Sequence, residues 1–256
     1  MNIISKVNKT RYTLKEVLEN EWSVVSLPDL SDQEIEKMYS LPASVDSNIA
    51  PFGVASGCNF TLSHKHIPSY KLHIIYYNFP EIGKNSSKVT KSSCDKISEF
   101  YQSGAIDKDD SLFVIINENI SESLEKSYTS LNINLQSIYQ EGEDEAQTLS
   151  DEILEEMKKS NNFLENKHFR NVHLFSIDDL TNNLLKHRLV PHHNVIRKKK
   201  EIDKILEMCN SHIHQLPIIL KNDKVSKLLR VCNGDICEIK RNSKKSGEYS
   251  FYRVCK

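Results

Sequence analysis

Residues Ser243 to Arg253 have the sequence SKKSGEYSFYR, and this stretch decides the fold of the C-terminal region. Ser246-Gly247 predicts a turn, because glycine adopts backbone conformations that strain other residues. A strand from Glu248 to Cys255 is predicted after that turn. Tyr249 and Tyr252 fall on opposite faces of the strand, since side chains alternate along an extended chain. We therefore expect the strand to pack its own core on one face and a partner on the other.

The segment upstream of this hairpin is divided by proline and glycine into short elements. Leu189-Val190-Pro191 should lead into extended chain, because proline cannot donate a backbone hydrogen bond and moves its predecessor out of the helical region. Gln215-Leu216-Pro217 ends any helix for the same reason. The other predicted elements are a helix from Lys198 to Asn210 with Ile202, Ile205, Leu206 and Cys209 on one face, a helix from an Asp223 cap to Leu229, a turn at Gly234 and a strand from Ile236 to Lys240. Residues 183–256 are therefore predicted to form a small α+β domain.

Residues 1–182 show a different pattern, in which helices and strands alternate. The predicted helices are Tyr12 to Glu21, with Tyr12, Val17 and Leu18 as its apolar positions, a second one that begins after Ser31, Ser93 to Ser103, and Ser121 to about Leu131; the predicted strands are Trp22 to Val25, Leu72 to Tyr77, Leu112 to Ile116 and Val172 to Phe175, with a loop over residues 42–58. Ser31, followed three residues later by Glu34, has the pattern of a capping box. The order strand, helix, strand implies a parallel crossover. We expect an α/β domain around a mostly parallel sheet.

An acidic stretch from about Gln136 to Arg170 interrupts this alternation. Ile153, Leu154 and Met157 predict a short amphipathic helix within it, while the remaining residues are too polar for a core. We interpret the stretch as a surface insertion of the first domain. The alternative is a docking segment for a basic partner.

Charge is divided unevenly along the chain. From Asn183 onwards there are 17 Lys and Arg against 7 Asp and Glu, so the C-terminal region has a charge of +10; the remainder has 17 against 28 (34 − 17 and 35 − 7), a charge of −11. The densest basic run is Arg197 to Lys200, at the start of a predicted helix. Either it is a solvated helix start, or it contacts nucleic acid or an acidic protein surface.

Composition excludes several classes of protein. The chain has 256 residues, of which 38% are hydrophobic and 27% charged, which indicates a globular protein. Its longest apolar runs fall far short of the ~20 residues that span a bilayer. The first residues lack the pattern of a secretion signal, so we expect an intracellular protein that contacts no membrane.

The cysteines and histidines do not form a metal-binding pattern. The six cysteines contain no CxxC pair and are expected to be reduced and mostly buried. The histidine pairs are His64/His66, His192/His193 and His212/His214. No cysteine or carboxylate lies at the close spacing that would complete a zinc site, so we expect surface or capping histidines and no metal or cofactor.

The C-terminal residues resemble the fifth common subunit of the eukaryotic nuclear RNA polymerases, which has a counterpart in the archaeal enzyme. The residues that carry the resemblance are Leu189, Val190, Pro191, His193, Gln215, Leu216, Pro217, Asp223, Val225, Gly234, Arg241, Ser243, Gly247, Tyr249, Tyr252 and Arg253. Upstream of Leu189 the likeness rests on the order of the elements. Because the archaeal counterparts consist of little more than the C-terminal domain, this chain resembles the eukaryotic form, which has an added jaw domain.

The resemblance implies a structural part of a DNA-dependent RNA polymerase without chemistry of its own. The C-terminal domain would dock on the largest subunit, the jaw would lie near downstream duplex DNA, and nucleotidyl transfer would belong to the two largest subunits. It implies these assembly residues: Pro191, His193, Gln215, Leu216, Pro217, Arg241, Gly247, Tyr249, Tyr252 and Arg253. No cofactor and no small-molecule substrate is implied.

The chain departs from the family pattern at several positions. Ser121-Glu122-Ser123-Leu124 stands where the family has Thr-Pro-Ser-Ala near DNA, so Ser121 and Ser123 are the DNA-proximal candidates. Glu122 would face phosphate unfavourably there. Arg230 and Lys224 replace a usual glycine and a usual proline. These departures favour a large DNA virus at least as strongly as a protist nucleus, with location in the virion, the host's transcription site or the nucleus accordingly.

Two other functions fit parts of the sequence. The α/β arrangement of the jaw is similar to that of restriction-type nucleases, whose sites need an acidic residue and a Glu-x-Lys at a strand end. Glu156-Met157-Lys158 has this spacing but lies in the acidic stretch, and Glu81-Ile82-Gly83-Lys84 has one residue too many. An inactive nuclease-like fold is therefore expected. The second alternative is a free-standing DNA-binding transcription factor that uses the basic C-terminal region.

Overall fold

The chain divides into two compact units. The computed structural model describes residues 2–41, 54–84, 88–137, 149–160, 164–243, 245 and 247–256. The N-terminal unit comprises Met1–Asn162 and Phe169–Asn182, and the C-terminal unit comprises Phe163–His168 and Asn183–Lys256. A short segment of the predicted insertion therefore belongs to the C-terminal unit. None of the helices in the described residues has both the length and the apolar composition of a membrane span.

The N-terminal unit is built on a four-stranded sheet in the order β1-β2-β3-β4. Its strands are β1 (Phe60–Ser63), β2 (Lys71–Tyr77), β3 (Ser111–Ile116) and β4 (Val172–Ser176). Strands β2, β3 and β4 are parallel, whereas β1 pairs with β2 in the antiparallel direction. The predicted α/β class and the parallel crossover from β2 to β3 are confirmed. The antiparallel edge strand β1 was not predicted.

Helices cover this sheet. They are α1 (Ile3–Leu18), α2 (Asp32–Ser40), α3 (Ser92–Gln102), α4 (Glu122–Ser137), α5 (Asp151–Ser160) and α6 (Ile177–Leu180). One buried cluster joins the sheet to α3 and α4; its members include Ile75, Leu112, Val114, Ile116, Leu174, Ile97, Phe100, Leu124, Tyr128 and Leu131. Alternate residues of the strands supply it, as expected for side chains that point to one face.

The first elements differ from their predictions. Helix α1 begins nine residues before the predicted Tyr12, because a stripe that starts at Ile4 and Val7 is buried. Tyr12 itself is 60% exposed and lies outside that stripe. The predicted strand at Trp22 to Val25 is wrong: Trp22 forms a single bridge with His64, and Val25 is 94% exposed. A fully buried Trp22 anchors this segment without a ladder of hydrogen bonds.

The start of α2 confirms its predicted capping box. The Glu34 carboxylate accepts a hydrogen bond from the Ser31 backbone N–H at 2.8 Å, and the Ser31 hydroxyl oxygen accepts one from the Glu34 N–H at 3.4 Å. Ile35 and Tyr39 are buried beneath the helix. Residues 42–53 of the predicted loop lie outside the described residues, and Val54–Cys58 forms a 3-10 helix.

The acidic stretch proves to be only partly a surface insertion. Its predicted amphipathic helix is confirmed as α5, which buries Ile153. However, Phe169 and Arg170 at its end are buried, so the surface interpretation is wrong there. Arg170 lies over the ring of Tyr101 at 4.7 Å. Residues 138–148 and 161–163 lie outside the described part of the chain.

The C-terminal unit has a second four-stranded sheet, in the order β5-β7-β8-β6. Its elements are β5 (His192–Ile196), α7 (Lys199–Met208), β6 (Ile218–Ile219), α8 (Lys224–Leu228), β7 (Ile236–Ser243) and β8 (Gly247–Cys255). The predicted hairpin is confirmed, with Ser243 opposite Gly247 in register. The Asp223 cap is also confirmed, since its carboxylate accepts from the Val225 N–H at 2.9 Å. The short strand β6 was not predicted.

Both faces of β8 pack against cores of the C-terminal unit. Val254 and Tyr252 contact a cluster that contains Ile196, Ile205, Leu216 and Ile236. Phe251 and Cys255 contact a second cluster that contains Ile219, Val231, Cys237 and Ile239. The expectation of one core face and one partner face is therefore wrong for residues 251–255, whereas residues 247–250 are exposed. Its aromatic residues on both faces are used by the unit itself, and Tyr249 near the turn is 40% exposed.

The cysteines and histidines follow their predictions with two exceptions. Cys58, Cys232, Cys237 and Cys255 are buried thiols, but Cys209 is exposed instead of lying on the apolar face of α7. His64 is buried at the edge of Trp22, with ring centroids 5.4 Å apart, so it is a core histidine. It also accepts a hydrogen bond from the His66 N–H at 3.3 Å, as a capping residue would.

Candidate assembly surface

The outer side of β8 is an open sheet edge. The neighbouring strand β6 pairs with β8 only at Ile218↔Val254 and Ile219↔Cys255. On its other side β8 pairs with β7 along its whole length. Among the described residues, no strand pairs with the outer side of residues 247–253. An unpaired edge presents backbone donors and acceptors that another chain can use.

The hydrogen bonds at the end of β8 show which backbone groups face that edge. Val254 donates its N–H to the Pro217 carbonyl on the β6 side at 2.9 Å, whereas Cys255 donates to the Asp235 carbonyl on the β7 side at 2.9 Å. Backbone groups of successive residues in a strand point to opposite sides in alternation. The N–H and C=O groups of Glu248, Ser250 and Tyr252 therefore point to the same side as those of Val254, which is the open side of the strand. Those of Tyr249, Phe251 and Arg253 point to β7.

One face next to this edge is positively charged. Arg241 on β7 and Arg253 on β8 place their guanidinium groups over the ring of Phe251, at 5.2 and 5.3 Å from its centroid. Tyr249 lies opposite Arg241 in register. Stacking on a shared ring orients both cations while leaving their charge available to a ligand.

Exposed apolar side chains continue the surface at β6. Ile218 is 46% exposed and Leu220 is 65% exposed, while Ile219 between them is buried. Arg253 ties β6 to β8, because it donates to the Ile218 carbonyl at 3.2 Å. Sequence reasoning missed both exposed residues. The sequence signal for them is the apolar run Ile218-Ile219-Leu220 after Pro217, because three consecutive apolar residues in an extended segment cannot all point to the same core.

The structure brings together only some of the residues that the resemblance implied. Those near the β8 edge are Pro217, Arg241, Gly247, Tyr249, Tyr252 and Arg253. Pro191 and His193 lie before and on β5, which is at the opposite edge of the sheet. Leu216 is buried in a core cluster. The predicted set therefore spans two edges and an interior position instead of one patch.

Two of the predicted residues have evident structural roles. His193 shares a hydrogen bond between its ring Nδ1 and the Pro191 carbonyl at 2.7 Å, which closes the bend before β5. Partial burial lowers the pKa of His193, although the bond to Pro191 and the charge of Asp223 act in the opposite direction. Gln215 accepts a hydrogen bond from the His212 N–H through its side-chain oxygen at 2.7 Å.

The DNA-proximal candidates lie at the start of α4 in the N-terminal unit. Ser121 caps this helix, because its hydroxyl oxygen accepts from the Leu124 N–H at 3.3 Å. Ser121 and Ser123 are both exposed. Glu122 forms an ion pair with Lys126 at 2.7 Å, so its charge is partly offset.

A buried carboxylate in the C-terminal unit was missed by sequence reasoning. Asp235 is 0% exposed and accepts hydrogen bonds from the Cys232 N–H at 2.9 Å and from His168 Nε2 at 3.1 Å. Lys167 Nζ lies 3.1 Å and Arg197 Nε 3.8 Å from its oxygens. Burial raises the pKa of Asp235, but His168 and Lys167 outweigh it, so the net pKa is lowered.

The same residues come closest to a metal site in the described part of the chain. Ligand atoms of His168, Cys232 and Asp235 lie within 4.8 Å of one another. The two cations Lys167 and Arg197 already neutralise the carboxylate and would repel a metal ion. Burial also raises the pKa of Cys232 and favours the protonated thiol over the thiolate that binds metals. The arrangement therefore fits an ion-pair cluster better than a metal centre.

Arg230 has a backbone conformation that favours glycine. Its φ is +54°, in the left-handed region, and its side chain is buried with a guanidinium N–H donated to the His168 carbonyl at 3.3 Å. Left-handed backbone strains any residue with a Cβ. Arg230 thus has a strained backbone, while its side chain forms a hydrogen bond to the segment that contains His168.

We predict that Arg230→Gly is more stable than Arg230→Ala by about 1–2 kcal/mol, the usual penalty of a Cβ at positive φ. Both variants lose the same side-chain contacts, so their difference isolates the backbone. Chemical denaturation of the two full-length proteins checks this. Equal stabilities would show that the left-handed conformation relaxes on substitution.

Comparison with protein families identifies the class of the C-terminal region. Residues 182–255 match the model of the family RNA polymerase Rpb5, C-terminal domain. A comparison with curated proteins gave no match to the chain. Residues 182–255 therefore form an Rpb5 C-terminal domain, which confirms the resemblance inferred from their motifs. The match supports the assignment of the chain as an Rpb5-like RNA polymerase subunit.

Proposed function

We propose that the protein is a non-catalytic subunit of a multisubunit DNA-dependent RNA polymerase that docks on the largest subunit through its C-terminal unit. The family match to residues 182–255 carries this proposal. Support comes from the surface at β6 and β8, where an open sheet edge lies next to the exposed Ile218 and Leu220. Apolar side chains beside unpaired backbone groups are typical of protein interfaces. The protein would act wherever its polymerase transcribes, in a nucleus or at a viral transcription site.

A jaw role near downstream DNA is proposed for the N-terminal unit. The exposed start of α4, with Ser121 and Ser123, could meet the phosphate backbone through free N–H groups. The opposing charge of Glu122 is offset by Lys126. Contacts with the phosphate backbone position a protein on DNA without recognising its sequence, as expected for a jaw domain.

A nuclease activity is not supported by the geometry of the candidate motifs. Glu156 lies on α5, where its carboxylate accepts hydrogen bonds from the N–H and hydroxyl of Ser69 at 3.0 and 2.9 Å. Glu81 pairs with Lys84 on an exposed turn at 2.6 Å. A metal-dependent site needs acidic groups that converge at a strand end, and neither motif provides them.

The docking proposal is tested by changing the apolar part of the surface. We expect Ile218→Asp and Leu220→Asp each to reduce copurification with the largest subunit by about tenfold or more, because a carboxylate would be buried against the partner. Met208→Asp is the matched control, since Met208 in the same unit is also 65% exposed. Affinity purification followed by quantitative mass spectrometry measures the ratio. Equal losses for all three variants would contradict a specific role of this surface.

A free-standing DNA-binding factor is the second candidate, favoured by the +10 charge from Asn183 onwards (17 − 7). The two functions differ in their response to salt. Binding through phosphate contacts weakens steeply as salt rises, whereas a subunit interface with an apolar core persists. Retention of the largest subunit in equal amount at high salt supports the polymerase subunit.

A further inference from the structure

We propose that the partner docks by adding an extended strand to the open edge of β8, paired with the backbone of Glu248, Ser250 and Tyr252. This inference rests on the proposed function for the existence of a polymerase partner. It specifies how that partner is held: through main-chain hydrogen bonds to a sheet edge, with side chains as secondary contacts. Strand addition of this kind gives affinity through the backbone and specificity through alternate side chains.

No described residue of the unit pairs with this part of the edge. Strand β6 ends its pairing at Val254, where Pro217 supplies only a carbonyl. The next residue upstream, Leu216, enters the core instead of continuing along β8. The open part begins directly beside β6, so an added strand would continue the sheet there. Three outward-facing residues at alternate positions span about 13 Å, since a strand rises about 3.3 Å per residue.

Charge and exposure indicate the chemistry of the added strand. Arg241 and Arg253 place two guanidinium groups on the face that also carries Tyr249. Side chains of an added strand would alternate between this face and the opposite one. An extended segment with Asp or Glu at alternate positions would place its carboxylates beside these arginines. We therefore commit to an acidic, extended segment of the polymerase as the occupant.

Site-resolved amide exchange tests the backbone contact directly. In the free full-length protein, the amides of Tyr249, Phe251 and Arg253 should be protected by β7, and those of Glu248, Ser250 and Tyr252 should exchange rapidly. In the assembled polymerase the second set should become protected by about tenfold or more, as buried hydrogen-bonded amides are. Rapid exchange of these three amides in the assembled enzyme would overturn the proposal.

A proline substitution supplies an independent test. Ser250→Pro removes an outward-facing N–H but leaves the bonds to β7, so the hairpin should persist. Ser250→Ala controls for loss of the hydroxyl, which donates to Glu238 at 2.7 Å. We expect Ser250→Pro to reduce copurification with the largest subunit by about tenfold or more, and Ser250→Ala by less than about twofold.

The outcomes separate this inference from the proposed function. Failure of the unmodified chain to copurify with the catalytic subunits would reject both. Normal copurification of Ser250→Pro, with rapid exchange at Ser250 in the unmodified assembly, would reject strand addition and leave the subunit assignment intact. If the Phe251 amide of Ser250→Pro exchanges faster than in the unmodified protein, the substitution has disturbed the hairpin. Strand addition is then judged only by amide exchange in the unmodified protein. Self-association that protects the same amides without polymerase would assign the edge to a second copy.

Discussion

Asp235→Ala should destabilise the C-terminal unit by about 3–5 kcal/mol, the usual cost of removing one partner from a buried ion pair. The carboxylate is 0% exposed, and its removal leaves Lys167 and Arg197 without their common anion and the Cys232 N–H without its acceptor. The His168 ring loses its hydrogen bond at Nε2 as well. Amide exchange of β7 residues under increasing urea measures the free energy of opening for this unit.

Asp223→Ala is the matched control for that change. Asp223 also accepts backbone hydrogen bonds, but it is exposed and caps only α8. Its loss should cost about 1 kcal/mol, as helix caps usually do. If both aspartates had the same effect, the buried cluster would not be the main electrostatic support of the unit.

The cluster also predicts how pH affects this unit. The pKa of Asp235 is lowered from its ordinary value of 3.8, so its contribution is complete above that pH and is lost as pH falls through the lower folded value. The pKa of His168 is lowered from 6.5, chiefly by burial, which favours the neutral ring. As pH falls below 6.5, the His168 ring is protonated in the unfolded chain before it is protonated in the folded unit. The free energy of unfolding therefore also decreases in this pH range. Asp235→Ala should remove the lower-pH part of this dependence.

Gly57→Ala should destabilise the N-terminal unit by about 3 kcal/mol, at the upper end of the cost of overpacking. A Cβ at Gly57 would lie 2.2 Å from the Met38 carbonyl oxygen and 2.8 Å from that of Leu41. Both contacts are with backbone at the end of α2, which cannot rotate away as a side chain can. Thermal or urea unfolding of the full-length variant measures the loss.

Gly83→Ala provides the comparison for Gly57. Gly83 has a φ of +85°, and a Cβ there would meet nothing within 4 Å. Its substitution should therefore cost only the conformational penalty of about 1–2 kcal/mol. A smaller loss at Gly57 than at Gly83 would mean that the end of α2 moves to accommodate the methyl group.

Elements whose signals are local were predictable. The capping box at Ser31 and Glu34 depends on residues three apart, and the hairpin at Gly247 depends on one turn. Strands β2 and β3 were predicted because their apolar runs are long enough to be buried on both faces. Strand β6 was missed, since two residues carry no periodicity.

The candidate surface was only partly predictable. The motifs identified Tyr249, Arg241 and Arg253, which lie near the β8 edge. They also included Leu216, which is buried, and His193, which lies on the far edge. A family pattern records residues that fold the domain together with residues that bind, and sequence alone does not separate them. Asp235 and His168 were missed because their pairing joins residues 67 positions apart.

The positions of turns and breaks follow from the sequence alone, because proline and glycine act on their own backbone. The sequence also determined the class of the C-terminal region, through motifs that match a polymerase subunit family. Which part of β8 stays open beside β6, and which backbone groups face that side, follows only from the tertiary structure. That outcome depends on pairing between distant segments: β6 covers Val254 and Cys255, and no strand in the described part of the chain pairs with the outer side of residues 247–253.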